Sequence, residues 1–257
     1  MTPQQLRAFL TPSSAEALQL YGYVVQTPFV TENLRYREHL ADVDFLYVAT
    51  NDTVNAFAGR RIEKNKDGKE ELKFHTVLFG GATRFARMVG LAAAVQDAGK
   101  SGMLKRFIAD MPSHMCGKCS EKDCVAYLRQ CGLANAIGDV KIRQRAISYS
   151  SGTIVSVLAH ESGHHALGHL LGVQQKNNLE IDRNQEREAD SFASSVISAS
   201  PFGEYIFAGT LFWHYAVAMQ SDGDSDVQRK HPLSKERFEN FVRANREKAE
   251  AMGISLQ

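Results

Sequence analysis

The motif H-E-x-x-H at residues 160–164 combines the residue types and the spacing that point most directly to chemistry. Residues four apart lie on one face of an α-helix, so the imidazoles of His160 and His164 can reach a single metal ion. Glu161 follows the first histidine and can take a proton from a water molecule that the metal binds. This combination is typical of zinc hydrolases.

A catalytic zinc needs three protein ligands, and a third is available in the next predicted helix. Glu186 and Asp190 are four residues apart and share a helix face. One carboxylate can bind the metal while the other accepts a hydrogen bond from a ligand histidine. The alternative for these two residues is a charged, solvated helix face. Their position after H-E-x-x-H favours the metal site.

Together the two segments resemble the gluzincin zinc peptidases, and most closely the family of CAAX prenyl proteases and HtpX-like heat-shock proteases. That family has A-H-E-x-x-H on one helix and E-x-x-A-D on the next, as found here at residues 159–164 and 186–190. The resemblance implies a zincin-like metallopeptidase domain. The expected fold class is therefore α+β, with a small antiparallel or mixed sheet, an active-site helix and a helical C-terminal half.

The resemblance also implies a role for each residue of the motifs. His160, His164 and Glu186 would hold one zinc ion, Asp190 would support a ligand, and Glu161 would be the general base. The expected activity is that of a zinc metalloendopeptidase acting on a peptide or protein substrate. The alternative is a catalytically weak or latent peptidase-like protein, with a regulatory or binding function that the cysteines described below control.

A later segment resembles the family as well. His231-Pro232 is followed by Arg237, six positions after the histidine. The resemblance implies that His231 and Arg237 face the substrate carbonyl, where donors or cations stabilise an oxyanion. A helix N-terminal turn with a surface arginine is the alternative.

Residues 55–58, N-A-F-A, resemble the edge strand of the family. Such a strand can pair with an extended peptide by β-augmentation, which makes Asn55 and Ala56 candidate substrate-binding residues. An ordinary strand is the alternative. Residues 146–149, just before the predicted zinc helix, are a second candidate for the edge strand.

All four cysteines lie within residues 116–131, here called the cysteine segment. Cys116-x-x-Cys119 is typical of a metal knuckle, which favours a second zinc site, with Cys124 and Cys131 or His114 completing it. If one helix carried both Cys124 and Cys131, they would lie about 10 Å apart along its axis and could not share one zinc. Disulfides, a redox switch, an iron–sulfur site and unligated thiols remain open.

The periodicity of apolar residues predicts the elements that position these sites. Helices are expected at residues 1–42, 82–98, 153–171, 184–198 and 202–220 and from Ser234 onward, strands at 44–50, 53–60, 71–79 and 140–149, and irregular structure at 100–138. Asp67-Gly68 predicts a hairpin turn. His165 and His169 are expected on the zinc helix, pointing away from the ligands, in surface or packing roles.

The predicted organisation is an N-terminal helical segment, residues 1–43, and a peptidase domain, residues 44–257, with a cysteine-containing insertion at about 100–138. The 30 Lys and Arg residues balance 29 Asp and Glu residues, which argues against a nucleic-acid partner. The sequence has no recognisable secretory signal and no apolar stretch of the ~20 residues that a membrane span needs. A cytoplasmic location is therefore expected.

Overall fold

The computed structural model describes residues 2–64, 66–100, 102–111, 118–171 and 179–203, and the structural statements below concern these residues. The helices are α1 (Pro3–Leu10), α2 (Ser14–Val25), α3 (Pro28–Thr31), α4 (Leu34–Ala41), α5 (Gly80–Asp97), α6 (Met103–Asp110), α7 (Glu121–Gln130), α8 (Val140–Ala166) and α9 (Leu179–Ser198). The strands are β1 (Val43–Val48), β2 (Ala56–Lys64) and β3 (Glu70–Phe79). A 3-10 turn spans Ala136–Gly138.

The described strands form one mixed sheet in the order β1-β3-β2. β1 runs parallel to β3, with Val43 opposite Phe74, and β2 runs antiparallel to β3, with Ala56 opposite Leu78. The turn between β2 and β3 contains Gly68 with φ of +75°, a conformation that favours glycine. The prediction of a hairpin and of the α+β class is confirmed, and β2 lies at an edge of the sheet.

The centre of the molecule is the packing of α5 against α8. Nearly every residue of α5 from Gly80 to Val95 is buried, and most of these side chains are small or apolar. A Cβ atom at Gly90 would lie 2.5 Å from the carbonyl oxygen of Ala146, so the two helices approach more closely than any side chain would allow. α8 is thereby fixed along its length before it reaches the chemical motif near its C-terminal end.

The N-terminal helices pack onto this centre. Leu6 and Leu10 of α1 belong to the same buried cluster as Phe85 of α5. The buried guanidinium of Arg87 in α5 pairs with the carboxylate of Glu16 in α2. Helix α2 also starts with a capped turn, since the Ser13 hydroxyl accepts a hydrogen bond from the Glu16 backbone N–H.

The predicted strand at residues 140–149 is wrong, because this segment forms the first turns of α8. The carboxylate of Asp139 caps the helix, because it accepts hydrogen bonds from the backbone N–H groups of Lys141 and Ile142. Ala146, Tyr149 and Thr153 are buried, at the spacing of a helix face, whereas Ile147 is exposed. The apparent alternation of apolar residues was too short to distinguish the period of a strand from that of a helix. Residues 146–149 lie within α8 and are therefore not an edge strand.

Two further predictions about elements are corrected. The segment at 100–138 was predicted to be irregular, but it contains α6, α7 and the 3-10 turn. The helix predicted at residues 153–171 ends at Ala166, and the chain turns at Gly168. The helix predicted at 184–198 is confirmed as part of α9. The helices predicted at 202–220 and after Ser234 lie outside the described residues, apart from 202 and 203.

Within the described part of the chain, we find no helix with the length and apolar character to traverse a bilayer.

Candidate metal centre

Three side chains converge where α8 and α9 cross, and they form a group that could hold a metal ion: His160, His164 and Glu186. The Nε2 atoms of the two histidines are 3.3 Å apart. Glu186 Oε2 lies 3.3 Å from His160 Nε2, and Glu186 Oε1 lies 3.5 Å from His164 Nε2. Tetrahedral zinc with bonds of ~2.0–2.1 Å requires its ligand atoms to be about 3.3–3.4 Å apart. The two contacts of Glu186 use different oxygens of its carboxylate. One ligand atom from each of the three residues lies within 4.8 Å of the others, which is compatible with a single metal ion.

Close packing of α8 on α9 brings the carboxylate to the histidines. A Cβ atom at Gly163 would lie 3.1 Å from the Cα of Ala189 and 3.2 Å from the ring of Phe192. Glycine in a helix interior costs about 1 kcal/mol relative to alanine, and here its lack of a side chain permits the approach. Ala189 lies between Glu186 and Asp190 in sequence, so the contact fixes both carboxylates beside α8.

His160 has the partner that fixes its ring. Its Nδ1 atom lies 2.9 Å from Asp190 Oδ1, so Nδ1–H donates to the carboxylate. The Nε2 atom then carries the lone pair and is directed at the group of ligand atoms. His160 is buried, whereas Asp190 is only partly so. A carboxylate in this position holds a histidine in the tautomer that binds a metal.

Glu161 lies between the ligand atoms and the edge strand. Its Oε2 atom accepts a hydrogen bond of 2.7 Å from the backbone N–H of Ala58 in β2. Ala58 is opposite Thr76 in the pairing with β3, so its N–H points away from the sheet and towards α8. This hydrogen bond fixes one carboxylate oxygen of Glu161, the residue after His160, against the edge strand.

Asn55 and Ala56 lie at the start of this edge. The carbonyl of Asn55 accepts a hydrogen bond from the Phe79 N–H, and its side-chain oxygen accepts one from the Ala56 N–H. Ala56 is buried, with a relative exposure of 5%. Ala56 is the first residue of β2 and Asn55 directly precedes it, so the two predicted substrate-binding residues lie two and three residues before the contact of Ala58 with Glu161.

The loop before β2 is held by a buried arginine. Arg84 of α5 donates to the carbonyls of Ala49 (3.1 Å) and Asn51 (3.3 Å), to the Asp52 carboxylate (2.5 Å) and to the carbonyl of Cys119 (2.6 Å). Its side chain is 4% exposed. One guanidinium therefore joins the loop before the edge strand to the cysteine segment.

The environment of His169 contradicts the sequence prediction. Its Nδ1 atom lies 3.1 Å from Nδ1 of His164, and its Nε2 atom lies 2.9 Å from Oε2 of Glu188. Sequence reasoning missed both His169 and Glu188 because it extended the helix through residue 171. The signal that could have found them is Gly168, a residue type that commonly ends a helix and redirects the chain.

His165 has the predicted packing role. It is 4% exposed, and its Nε2 atom lies 3.2 Å from the carbonyl oxygen of His75. Burial lowers its pKa to about 4, so the ring is neutral near pH 7.

Comparison with protein families adds an independent observation. Residues 139–253 match the model of the peptidase U49 family. This part of the chain is similar to a peptidase family. The match includes α8 and α9, and therefore the whole group of ligand atoms and Glu161. It supports a hydrolase that cleaves peptide or protein substrates.

Neither the curated proteins nor the solved structures contain a significant match to the chain.

The peptidase match extends over His231 and Arg237, but both lie outside the described residues, so their predicted place opposite the substrate carbonyl stays a prediction.

The cysteine segment is described from residue 118 onward. Cys119 and Cys124 form a disulfide, and Cys131 is a half-buried thiol whose pKa is raised by burial. Cys124 lies inside α7, and Cys131 directly follows its last residue. Cys116 and His114 lie outside the described residues. The disulfide removes two thiolates, so the predicted zinc knuckle of Cys116 with Cys119 and the zinc site completed by Cys124 are wrong in this structure, and the disulfide alternative is the one observed. Among the described residues, the cysteines do not form a metal-binding group.

Proposed function

We propose that the protein is a zinc-dependent metalloendopeptidase of the gluzincin type, with His160, His164 and Glu186 as the zinc ligands. The observation that carries the proposal is the convergence of the three side chains, with one ligand atom of each within 4.8 Å of the others. The match of residues 139–253 to a peptidase family supports the reaction type. Two histidines and one carboxylate are a donor set that catalytic zinc uses.

Zinc bound at this site would act as a Lewis acid, which polarises the scissile carbonyl and lowers the pKa of the attacking water. Glu161 accepts the proton of that water and then delivers it to the leaving amine. The hydrogen bond from the Ala58 N–H supports this role, because it fixes one carboxylate oxygen and thereby orients the group.

The substrate would lie as an extended peptide along β2. This strand is at the edge of the described sheet, and Ala58 directs its N–H out of the sheet towards α8. β-Augmentation at Asn55 and Ala56 would bring the peptide bond to the metal, and it requires the Asn55 side chain to release the Ala56 N–H that it holds. His231 and Arg237, assigned by resemblance, would stabilise the oxyanion on the other side of the carbonyl.

A second candidate is a latent peptidase controlled by the cysteine segment. The observation that favours it is the hydrogen bond of 2.7 Å from the Cys119 N–H to the Asp52 carbonyl, three residues before Asn55. A change in the cysteine segment would act on the edge strand through this contact. Casein digestion with and without reductant separates a constitutive enzyme from a latent one.

The variant Glu161→Gln tests the proposed function. We expect about one zinc per chain by elemental analysis, as in the wild type, and a fall in kcat of about 10²–10⁴-fold, because the general base is lost. The exposed Glu180→Gln on α9 is the matched control and should keep both zinc and activity. A Glu161→Gln protein with bound zinc and full peptidase activity would disprove the mechanism.

A further inference from the structure

We infer that His169 and Glu188 are positioning residues for the metal ligand His164, which they hold in one tautomer and one ring orientation. The inference rests on the proposed function, because it assigns to these residues a purpose in metal binding. The contacts that carry it are the 3.1 Å separation of the Nδ1 atoms of His164 and His169, and the 2.9 Å separation of His169 Nε2 from Glu188 Oε2.

The turn at the end of α8 creates the first contact. Gly168 has φ of +79°, its N–H donates to the His165 carbonyl, and the N–H of His169 donates to the His164 carbonyl at 2.9 Å. This pair of hydrogen bonds is a Schellman motif, which ends a helix and folds the chain back. In a continued helix, residues five apart would lie about 140° apart around the axis, and the two rings would not meet.

The hydrogen bonds assign the protons of the two rings. The Glu188 carboxylate accepts, so Nε2 of His169 donates to it, and Nδ1 of a neutral His169 is then an acceptor. His164 consequently donates from its own Nδ1, which leaves the lone pair on Nε2, the atom that faces Glu186. A chain of hydrogen bonds thus extends from the Glu188 carboxylate through His169 to His164, whose Nε2 faces the metal site.

The two ligand histidines then have equivalent support from α9. Asp190 reaches His160 Nδ1 directly. Glu188 is about 200° around the helix from Glu186 and cannot reach His164 itself, so His169 spans the distance. The His169 side chain is 6% exposed and the Glu188 side chain 62%, which makes the histidine the more important member of the pair.

The test is the affinity for zinc, measured by competition with a chromogenic chelator on the full-length chain. We expect His169→Ala to weaken binding by about 10–100-fold, the usual cost of losing a partner of a metal ligand. His169→Asn, which keeps an acceptor near the position of Nδ1, should stay much nearer to the wild type. Glu188→Ala, which removes the acceptor for His169 Nε2, should have a smaller effect than His169→Ala, because Glu188 is exposed.

The exposed Leu171→Ala, which alters the same turn without the hydrogen bonds, is the control and should bind zinc normally. Co²⁺ substitution adds a readout apart from activity, since altered d–d absorption in His169→Ala would report a changed ligand geometry. The unfolding temperature of each metal-free variant identifies general damage to the fold. If His169→Ala does not fold, Glu188→Ala at the exposed end of the pair decides the question.

The possible failures are distinguishable. A wild type that binds no zinc would overturn the proposed function and this inference with it. A wild type that binds zinc tightly, together with folded His169→Ala or Glu188→Ala proteins of unchanged affinity, would overturn the inference alone.

Discussion

The two sides of the candidate site are built in different ways. The ligand side consists of residues 160–164 on α8 and 186–190 on α9, and it is held by helix packing and by carboxylates bonded to histidines. The edge side consists of residues 49–58, and it is held mainly by backbone carbonyls that accept from Arg84. Glu161 belongs to the ligand side and joins it to the edge side through Ala58.

The difference predicts how each side fails. The ligand side depends on residues spaced four apart within helices, so a substitution there changes the metal and leaves the sheet intact. The edge side depends on a contact between Arg84 and Cys119, which are 35 residues apart. Loss of this contact would lower the stability of the fold and would also weaken substrate binding. Variants of the ligand side should therefore change zinc content, whereas variants of the edge side should change stability and KM.

Removal of a ligand should have the largest effect. We expect Glu186→Gln to lose most of its zinc and to lower peptidase activity by on the order of 10³-fold or more, because the Lewis acid is lost. Zinc content by elemental analysis and peptide hydrolysis measure this. Treatment of the wild type with a chelator should reproduce the loss, and added zinc should restore the wild type. Full zinc occupancy in Glu186→Gln would contradict the ligand assignment.

The substitution Arg84→Met should break the edge side. It leaves the Asp52 carboxylate and several buried carbonyls without their partner, so we expect a loss of about 3–5 kcal/mol in the free energy of unfolding. Urea unfolding measures this. The control is Arg145→Met, which removes an exposed pair with Asp97 and should cost less than about 1 kcal/mol.

Zinc affinity of the folded Arg84→Met fraction should stay close to that of the wild type, while KM for a peptide rises. A variant that loses zinc and keeps its KM would show that the two sides are not separable in this way.

The substitution Gly163→Ala should have the smallest effect of the three. The added methyl group meets the Cα of Ala189 at 3.1 Å and pushes α9 away from α8, which we expect to cost about 1–3 kcal/mol and to weaken zinc binding. Gly22→Ala in α2 is the matched control, because its Cβ would have no neighbour within 4 Å. That change should stabilise the protein by up to about 1 kcal/mol. Equal stabilisation by both substitutions would exclude close packing as the reason for Gly163.

Features encoded by local spacing were predictable from the sequence. A spacing of four places His160 with His164 on one helix face and Glu186 with Asp190 on another, and the family resemblance indicated Glu186 as the third member of the group. The β2–β3 hairpin follows from Asp67-Gly68. Each pattern is complete within a few residues, so it needs no knowledge of tertiary contacts. The geometry of the ligand side was for this reason largely predictable, although its metal and its mechanism stay proposals.

Features that depend on tertiary contacts were not predictable. Residues 140–149 look like a strand in isolation and become helical because Ala146 and Tyr149 bury one face of α8. The contact of His169 with His164 could be predicted only from the exact residue at which α8 ends. A single sequence locates the end of a helix only to within several residues. Arg84 gives no local signal, since its four acceptors come from two distant segments.

The hydrogen bond between Ala58 and Glu161 restricts how a peptide substrate would align along β2. A new strand added to β2 needs the outward backbone groups of that strand, and at Ala58 the donor is already engaged. The donor of Ala56 is engaged as well, by the Asn55 side chain. A bound peptide would therefore leave the carbonyl opposite Ala58 unmatched, and it would pair at Ala56 only if Asn55 released that donor. The register of the peptide, and hence the bond that is cut, would be fixed by main-chain geometry before any side-chain pocket contributes to the choice.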